Sequence, residues 1–235
     1  MKAKSLLIIF IIPLLLGFNS GKKSTPQADT QVALVKKIVK DVTYRKAGQS
    51  DWDDAKTGLP LNDGEQVKTG AKSLALILFI DGSGLLRVRE NAVLNVYGKS
   101  GNKKLDDKNT VLTKGTIGFE VNKQEDEEFK FTTPTAVASI RGTEGSLEVD
   151  DNNSTVIRLD RGKVDFQSLK GDKKSGSLTE GNTARIDNSG NISITPQSQE
   201  DKNKNNLIKN TNTKKVKIKT KLGDIEIEYY SSENK

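Results

Sequence analysis

The sequence contains no cysteine and no histidine among its 235 residues, and these two absences remove whole classes of function. Without histidine there is no Ser-His-Asp triad, no imidazole general base and no histidine metal ligand. Without cysteine there is no disulfide, no thiolate nucleophile, no zinc–thiolate site and no lipid-modified cysteine. Aromatic residues make up only 5% of the chain, and Trp52 is its one tryptophan. We therefore expect a non-catalytic protein without a metal site or a cofactor, held together by its packed core.

The net charge of +7 is unevenly distributed along the chain. Residues 41–195 carry 22 basic and 24 acidic side chains, which gives this middle segment a net charge of −2. The positive excess lies in the flanks, with +6 over residues 1–40 and +3 over residues 196–235. Nucleic-acid binding by the folded module would need an excess of positive charge on that module. The distribution therefore argues against nucleic acid as a partner.

The first residues have the pattern of a secretory signal peptide. Lys2 and Lys4 precede an apolar run over residues 6–18, and small or polar residues follow it. The run is 13 residues long. A helix of that length spans about 20 Å, less than the roughly 30 Å core of a bilayer. The pattern predicts a signal peptide over residues 1–20 and no membrane span after its removal, with an uncleaved anchor or a core strand as the alternatives. We expect a bacterial protein that is periplasmic, secreted or on the cell surface.

The middle of the chain alternates short apolar segments with glycine-containing turns. The pattern begins with the apolar run 75–80 and the turn Asp81–Gly84, and it recurs at residues 111–121, 137–149, 156–166 and 184–194. Tight turns between strands need a positive φ, which glycine adopts without a steric penalty. The pattern predicts an all-β fold of stacked short strands and hairpins, in a solenoid-like roll or a sandwich. Residues 32–39 fit a helix, and residues 39–44 fit the first strand equally well.

Changes in composition divide the chain into five segments. They are the signal peptide (1–20), a linker (21–31), a β domain (32–195), a polar linker (196–213) and a C-terminal β-hairpin (214–231). The second linker is rich in Asn, Lys and Gln and has little apolar surface to bury.

The order of the glycine turns resembles that of the FecR-type domain, a family of exported all-β modules. The strongest match is residues 133–144, TPTAVASIRGTE, which is close to the family signature TP-T-A-x-A-x-[IV]-R-G-T. The landmarks around Trp52 and the triplet Asp81-Gly82-Ser83 precede it, and Gly162-Lys163-Val164 follows it. The resemblance covers residues 32–194 and implies a solenoid-like stack of short strands in an extracytoplasmic compartment.

Six residues in the matching stretches are candidates for binding: Trp52, Thr133, Pro134, Arg141, Gly142 and Thr143. We expect Pro134 at a strand start or edge, and Gly142 in a conformation that other residues resist. The planar fork of Arg141 fits a ligand anchor, or a structural role in which it pairs with a nearby carboxylate and fixes the turn. Trp52 fits a carbohydrate-stacking platform or an anchor in the core or at its rim.

The best-known FecR members sense a signal outside the inner membrane and pass it to a sigma factor, with a cytoplasmic domain and a membrane span. Only about five residues precede the apolar run of this chain, so we expect no direct regulation of a sigma factor. The resemblance implies an exported module that binds or scaffolds a protein or polysaccharide of the cell envelope or extracellular matrix. The alternative is an extracytoplasmic sensor component that acts through a separate membrane protein.

The C-terminal segment has the alternation of a hairpin around Gly223-Asp224. A turn at this pair predicts Leu222 opposite Ile225 and Lys219 opposite Glu228, with opposite charges on one face and apolar residues on the other. The run 216–228 is also similar to the opening strands of cyclophilin-type prolyl isomerases. The similarity is confined to this short run, and we infer no isomerase activity from it.

Overall fold

The computed structural model of the protein describes residues 30–100, 104–123 and 128–209, and the backbone of residues 213–220 and 223–230. The predicted signal peptide (1–20) and nearly all of the predicted linker 21–31 lie outside the described residues.

The described residues form nineteen strands and one helix, which confirms the all-β prediction. In chain order the strands are β1 (Gln31–Val39), β2 (Val42–Arg45), β3 (Asp53–Asp54), β4 (Pro60–Asn62), β5 (Gln66–Thr69), β6 (Leu74–Phe79), β7 (Gly84–Val88), β8 (Val93–Ser100), β9 (Leu105–Val121), β10 (Phe129–Thr132), β11 (Ala136–Ile140), β12 (Glu144–Val149), β13 (Thr155–Arg161), β14 (Lys163–Ser168), β15 (Ser175–Thr179), β16 (Asn182–Ile186), β17 (Ile192–Pro196), β18 (Thr213–Thr220) and β19 (Gly223–Tyr230). The helix α1 (Gln199–Lys209) lies between β17 and β18. The helix that residues 32–39 fit in the sequence does not form, because these residues belong to β1. The alternative first strand at residues 39–44 spans the end of β1 and most of β2.

Two open sheets share the long strand β9. Sheet A has the order β4-β1-β6-β7-β9-β12-β13-β16-β17, and all of its pairings are antiparallel. Sheet B has the order β3-β2-β5-β8-β9-β10-β11-β14-β15, in which only the β9–β10 pair is parallel. The chain passes back and forth between the sheets, which gives the path of a solenoid-like roll.

A residue with positive φ stands at nine crossings between the two sheets. The positions are Lys40, Gly58, Gly64, Lys72, Asn91, Gly115, Gly142, Gly162 and Gly181. At Gly115 the structure differs from the sequence-based expectation of a turn within residues 111–121. The structure has one continuous strand there, and Gly115 (φ +87°) is the bend at which β9 leaves sheet B and enters sheet A. A Cβ at Gly115 would lie 2.6 Å from the Cα of Ala92, so the bend has no room for a side chain.

One apolar core fills the space between the sheets. Aromatic rings join the two layers: Phe79 of sheet A meets Phe129 of sheet B at 4.7 Å between centroids, and Phe119 of sheet A meets Phe131 of sheet B at 5.0 Å. Such edge-to-face and tilted pairs add to the stabilisation from buried area. The core therefore fixes which strand faces which across the layers.

Helix α1 occupies the middle of the segment 196–213, which the sequence predicted to be a polar linker. Its first turn is closed by a reciprocal capping box, in which the amide of Asp201 donates to the Ser198 hydroxyl (3.0 Å) and the amide of Ser198 donates to the Asp201 carboxylate (3.3 Å). The helix needs little apolar surface because ion pairs hold it on the outer face of sheet A. A polar composition by itself is therefore not evidence for an unstructured linker here.

The ion pairs under α1 centre on Arg158 of β13, whose side chain is 5% exposed. Arg158 contacts Asp201 of the helix and Glu148 of β12, each at 2.8 Å, and Lys204 contacts the same Glu148 at 2.7 Å. Burial alone would raise the pKa of Glu148, but the hydrogen bonds from Lys204 and Arg158 outweigh it and lower that pKa. The network therefore keeps Glu148 ionised between two cations and fastens the helix to two strands.

We predict that Gly118→Val loosens α1 from sheet A. A Cβ at Gly118 would lie 3.0 Å from Cγ2 of Ile208, the buried apolar residue of the helix, so larger side chains push the helix away. The cost of such overpacking is about 1–3 kcal/mol. Amide hydrogen exchange is expected to rise within α1, and a protease is expected to cut between residues 197 and 209. Thr116→Val, on the same strand, is the matched control, and equal protection of α1 in both variants would contradict the prediction.

The C-terminal hairpin exists, but its predicted register is wrong. The structure pairs Lys219 with Asp224 and Ile218 with Ile225, and Gly223 and Asp224 belong to β19 rather than to the turn. Leu222, which the prediction placed opposite Ile225, lies outside the described residues. The two registers differ by an even number of residues, so lysines still pair with acidic residues. Alternation predicts which residues share a face, but the turn position sets the register.

Candidate functional site

The signature segment 133–144 crosses sheet B along β11 and then turns into sheet A. At its beginning, the hydroxyls of Thr133 and Thr135 each lie 2.6 Å from that of Thr155, and all three side chains are buried. The amide of Ala136 donates to the Thr133 hydroxyl at 2.9 Å. Pro134 lies between β10 and β11, just before a strand start, where its missing N–H takes no bond from a ladder. This end of the signature builds the fold.

The other end of the signature forms the corner between β11 and β12. Gly142 has φ +66°, as the sequence predicted, and a Cβ there would lie 3.1 Å from Cβ of Lys123. Thr143 is fully buried, and its carbonyl accepts a hydrogen bond from the amide of Val121 at 2.9 Å. Both residues therefore serve the corner, and neither presents a side chain to a ligand.

Arg141 differs from the other signature residues because its side chain is 61% exposed. Its Nη2 lies 3.6 Å from a carboxylate oxygen of Glu128, a distance too long for a strong bidentate pair. The guanidinium fork is therefore available to a carboxylate from outside. The sequence left a ligand anchor and a structural pair open for Arg141, and the geometry has features of both.

A groove on the outer face of sheet B surrounds this arginine. Its lining residues are Glu128, Ser139, Arg141, Lys163 and Asp165, and its volume is about 330 Å³. We call it the Arg141 groove. It continues into a wider, open trough of about 580 Å³ that shares Ser139 and Asp165 and reaches Ser175 and Ser177 on β15. The groove presents two cations, two carboxylates and a hydroxyl within a small area, which suits a partner with charged groups of both signs.

Asp165 is the fixed negative charge of the groove. Its carboxylate accepts a hydrogen bond from the Ser177 hydroxyl, and Nζ of Lys163 lies 3.1 Å away. The Ser177 hydrogen bond, followed by that of Lys163, lowers the pKa of Asp165 below its ordinary value. Asp165 therefore stays ionised at neutral pH.

Trp52 lies far from this groove, beside the opposite edge of sheet B. It precedes β3, and its partly exposed ring has the guanidinium carbon of Arg45 4.8 Å and Nζ of Lys68 4.4 Å from its centroid. These are cation–π contacts, and they join Trp52 to residues of β2 and β5. A sugar stacking on this ring would compete with them.

Sequence reasoning missed Lys163, Asp165 and Ser177 as groove residues. The alternation in β14 already showed that Lys163, Asp165 and Gln167 share an exposed face. No sequence signal showed that β14 lies between β11 and β15, because those neighbours are set by pairing across the sheet. Within the described residues, no group of three or more acidic side chains is placed to hold a metal ion. Neither is any helix in that part of the chain long and apolar enough to cross a membrane.

The fold and the groove define an all-β module of two open sheets with a charged surface groove. Residues 65–165 match the family model described as FecR protein, which confirms the FecR-like resemblance over that segment. The matched range contains the signature segment and the first three residues of β14, and it ends before β15. No curated protein matches the chain. The predicted likeness of the hairpin to cyclophilins is not supported by any of these findings.

Two solved structures of a protein from Parabacteroides distasonis ATCC 8503 are similar to the chain. They are described as a "putative anti-sigma factor" and were determined at 2.50 Å and 1.65 Å resolution. Each has 14% sequence identity to this chain and a TM-score of 0.49, over 57% of this chain. The aligned part spans 61% of the length of that protein.

Proposed function

We propose that the protein is a non-catalytic, extracytoplasmic binding module of the FecR type that takes part in signalling by binding a protein partner. It acts outside the membrane and passes its signal through a separate membrane protein. The observation that carries the proposal is the exposure of Arg141 in the Arg141 groove. The FecR match to residues 65–165 supports the signalling role.

The contrast within the signature supports binding at Arg141. The side chains of Thr133 and Thr143 are buried, and Gly142 occupies a corner that requires a positive φ. These residues are explained by the fold. The half-open guanidinium of Arg141 is not needed for packing, and it stands beside the ionised Asp165.

The mixed charges of the groove favour a protein over a polysaccharide. A peptide supplies carboxylates for Arg141 and Lys163 and amines for Asp165, and charge-assisted hydrogen bonds of this kind are short and strong. The one tryptophan already has Arg45 and Lys68 against its ring. A stacked sugar would have to displace them.

The proposal predicts that Arg141→Ala strongly weakens partner binding without unfolding the protein. The protein is immobilised and exposed to cell-envelope extract, and the retained proteins are quantified by mass spectrometry. Wild type and Arg185→Ala, which removes an arginine 51% exposed on sheet A, are expected to retain the same protein. The affinity of Arg141→Ala for this protein is expected to fall by at least about tenfold, which corresponds to a loss of about 1.4 kcal/mol of binding free energy.

Complementation of a deletion strain tests the signalling role itself. Wild type and Arg185→Ala are expected to restore the transcription changed by the deletion, whereas Arg141→Ala is not. Unchanged transcription in the deletion strain would overturn the signalling role, and equal retention by both variants would overturn the binding site. The mass of the mature N-terminus, measured on fractionated cells, tests export and cleavage near residue 20.

A further inference from the structure

Within the described residues, three of the four edges of sheets A and B carry features that hinder the addition of another strand, and one does not. The β3 edge is only two residues long and both are aspartates, the β4 edge starts with Pro60, and the β17 edge ends with Pro196. Short length, charge and proline are the usual means by which proteins protect sheet edges. The β15 edge has five residues, Ser-Gly-Ser-Leu-Thr, without a charge or a proline. Among the described strands, only β14 pairs with β15.

The backbone groups on the open side of β15 follow from its register. The amide of Ser168 donates to the carbonyl of Lys174, its direct partner across the pair, at 2.9 Å. Hydrogen-bonded and non-hydrogen-bonded pairs alternate in an antiparallel ladder. The N–H and C=O groups of Ser175, Ser177 and Thr179 therefore point away from β14, towards the free edge.

We propose that β15 pairs with β15 of a second copy of this chain, antiparallel and centred on Ser177. This register pairs the whole strand with itself, and it hydrogen-bonds Ser177 to Ser177 and Ser175 to Thr179 across the two-fold axis. It also places Lys174 of each copy opposite Glu180 of the other, and both side chains are exposed. Opposite charges at facing positions stabilise a strand pair.

Such a dimer joins the two B sheets edge to edge, and the trough beside each Arg141 groove reaches the two-fold axis. A partner with two binding segments then meets two grooves at once, which raises its apparent affinity without a new contact. The contact between two strands of five residues is smaller than the interface of about 800 Å² per partner that is typical of stable complexes. We therefore expect a dimer that dissociates on dilution.

The absence of cysteine allows a direct test, because Ser177→Cys introduces a single thiol. Facing residues of a hydrogen-bonded pair have Cα atoms about 5.5 Å apart, within the range of a disulfide. Mild oxidation of this variant is expected to give a covalent dimer. Ser193→Cys, an exposed serine on the blocked β17 edge, is the matched control and is expected to stay monomeric.

Sedimentation of the variants separates backbone pairing from side-chain effects. Wild type and Ser177→Ala are expected to approach twice the monomer mass as concentration rises. Ser177→Pro and Ser175→Pro are expected to stay monomeric, because each removes an edge-facing N–H without breaking a bond to β14. The unfolding midpoints of the two proline variants show whether each is folded. One folded proline variant is enough to test the backbone pairing.

Any one of four results would overturn the proposal. The first two are a monomeric wild type at about millimolar concentration and equal cross-linking of Ser177→Cys and Ser193→Cys. The other two are an undiminished dimer in a folded proline variant and cross-linking of Ser177→Cys only to a different protein. The proposal does not depend on the proposed function, since it needs no other partner.

Discussion

Replacing Lys108 by methionine is expected to lower the free energy of unfolding by about 3–5 kcal/mol, the usual cost of breaking a buried ion pair from one side. The side chain of Lys108 is 0% exposed and that of Asp81 is 5% exposed, and Nζ lies 3.2 Å from the carboxylate. Lys108 also donates to the carbonyl of Leu105 at 2.5 Å. Without the lysine, the charge of Asp81 stays buried and loses its cation. Urea unfolding followed by tryptophan fluorescence measures the effect.

The matched control is Lys99→Met, which breaks an ion pair between the neighbouring strands β8 and β9. Nζ of Lys99 lies only 2.6 Å from the carboxylate of Asp107, closer than in the buried pair, but the two side chains are 73% and 65% exposed. Exposed pairs contribute little because water already solvates both charges. We expect a nearly unchanged midpoint. If Lys99→Met lowered the free energy of unfolding as much as Lys108→Met, the distance between the two charges rather than their burial would set the cost.

The stability of the protein in acid tests the same ion pair through its other partner, Asp81. Burial alone would raise the pKa of Asp81, but hydrogen bonding from Ser83 and the charge of Lys108 outweigh it and lower that pKa. A carboxyl whose pKa is lower in the folded state stabilises the protein fully above its unfolded value, about 3.9. This stabilisation is lost as the pH falls through the lower, folded pKa. Asp81→Asn is therefore expected to reduce the acid-induced loss of stability below about pH 4.

Gly145→Ala is expected to lower the free energy of unfolding by about 3 kcal/mol, the upper end of the usual cost of overpacking. A Cβ at Gly145 would lie 2.2 Å from the carbonyl oxygen of Arg158 on the paired strand β13. That oxygen belongs to the backbone of a central strand, so it cannot move without separating β12 from β13. The free energy of unfolding in urea measures this cost.

Gly82→Ala is the control for this prediction. Gly82 has a positive φ of +71°, but nothing lies within 4 Å of a Cβ built on it, so alanine there meets only the conformational penalty. That penalty is about 1–2 kcal/mol. Gly145 has the reverse situation, with an ordinary φ and no space. If Gly145→Ala were less destabilising than Gly82→Ala, the sheet would have to accommodate the methyl by a local shift of β13.

The glycines show how far the sequence determines the fold. Their spacing predicts strands separated by sharp changes of direction, and Gly115 and Gly142 do have positive φ. The sequence cannot show whether such a glycine makes a hairpin turn, a bend within one strand or a crossing between sheets. Those outcomes share the same local conformation, and only the packing of the core separates them. At three corners the residue with the positive φ is not a glycine but Lys40, Lys72 or Asn91, so the spacing of the glycines does not mark these positions.

The sequence contains a capping signal for helix α1, but the polar composition of residues 196–213 favoured a linker. Ser198 and Asp201 have the spacing of a capping box, and acidic residues open the helix while Lys209 closes it. A helix this short is marginal on its own. Its stability comes from Arg158 and Glu148, which belong to strands about 40 to 60 residues away in the chain, and no local pattern shows such pairs.

The sequence by itself determined the all-β class, the FecR-like signature, the missing histidine and cysteine chemistry and the near-neutral middle segment. These follow from residue types and short spacings, which local sterics and solvation control. The tertiary structure decided that Arg141 is exposed while Thr133 and Thr143 are buried, and that Lys163 and Asp165 stand beside it. It also decided which sheet edge stays open. These properties depend on strand neighbours far apart in the chain, and those neighbours are selected by the packing of the two sheets around one core.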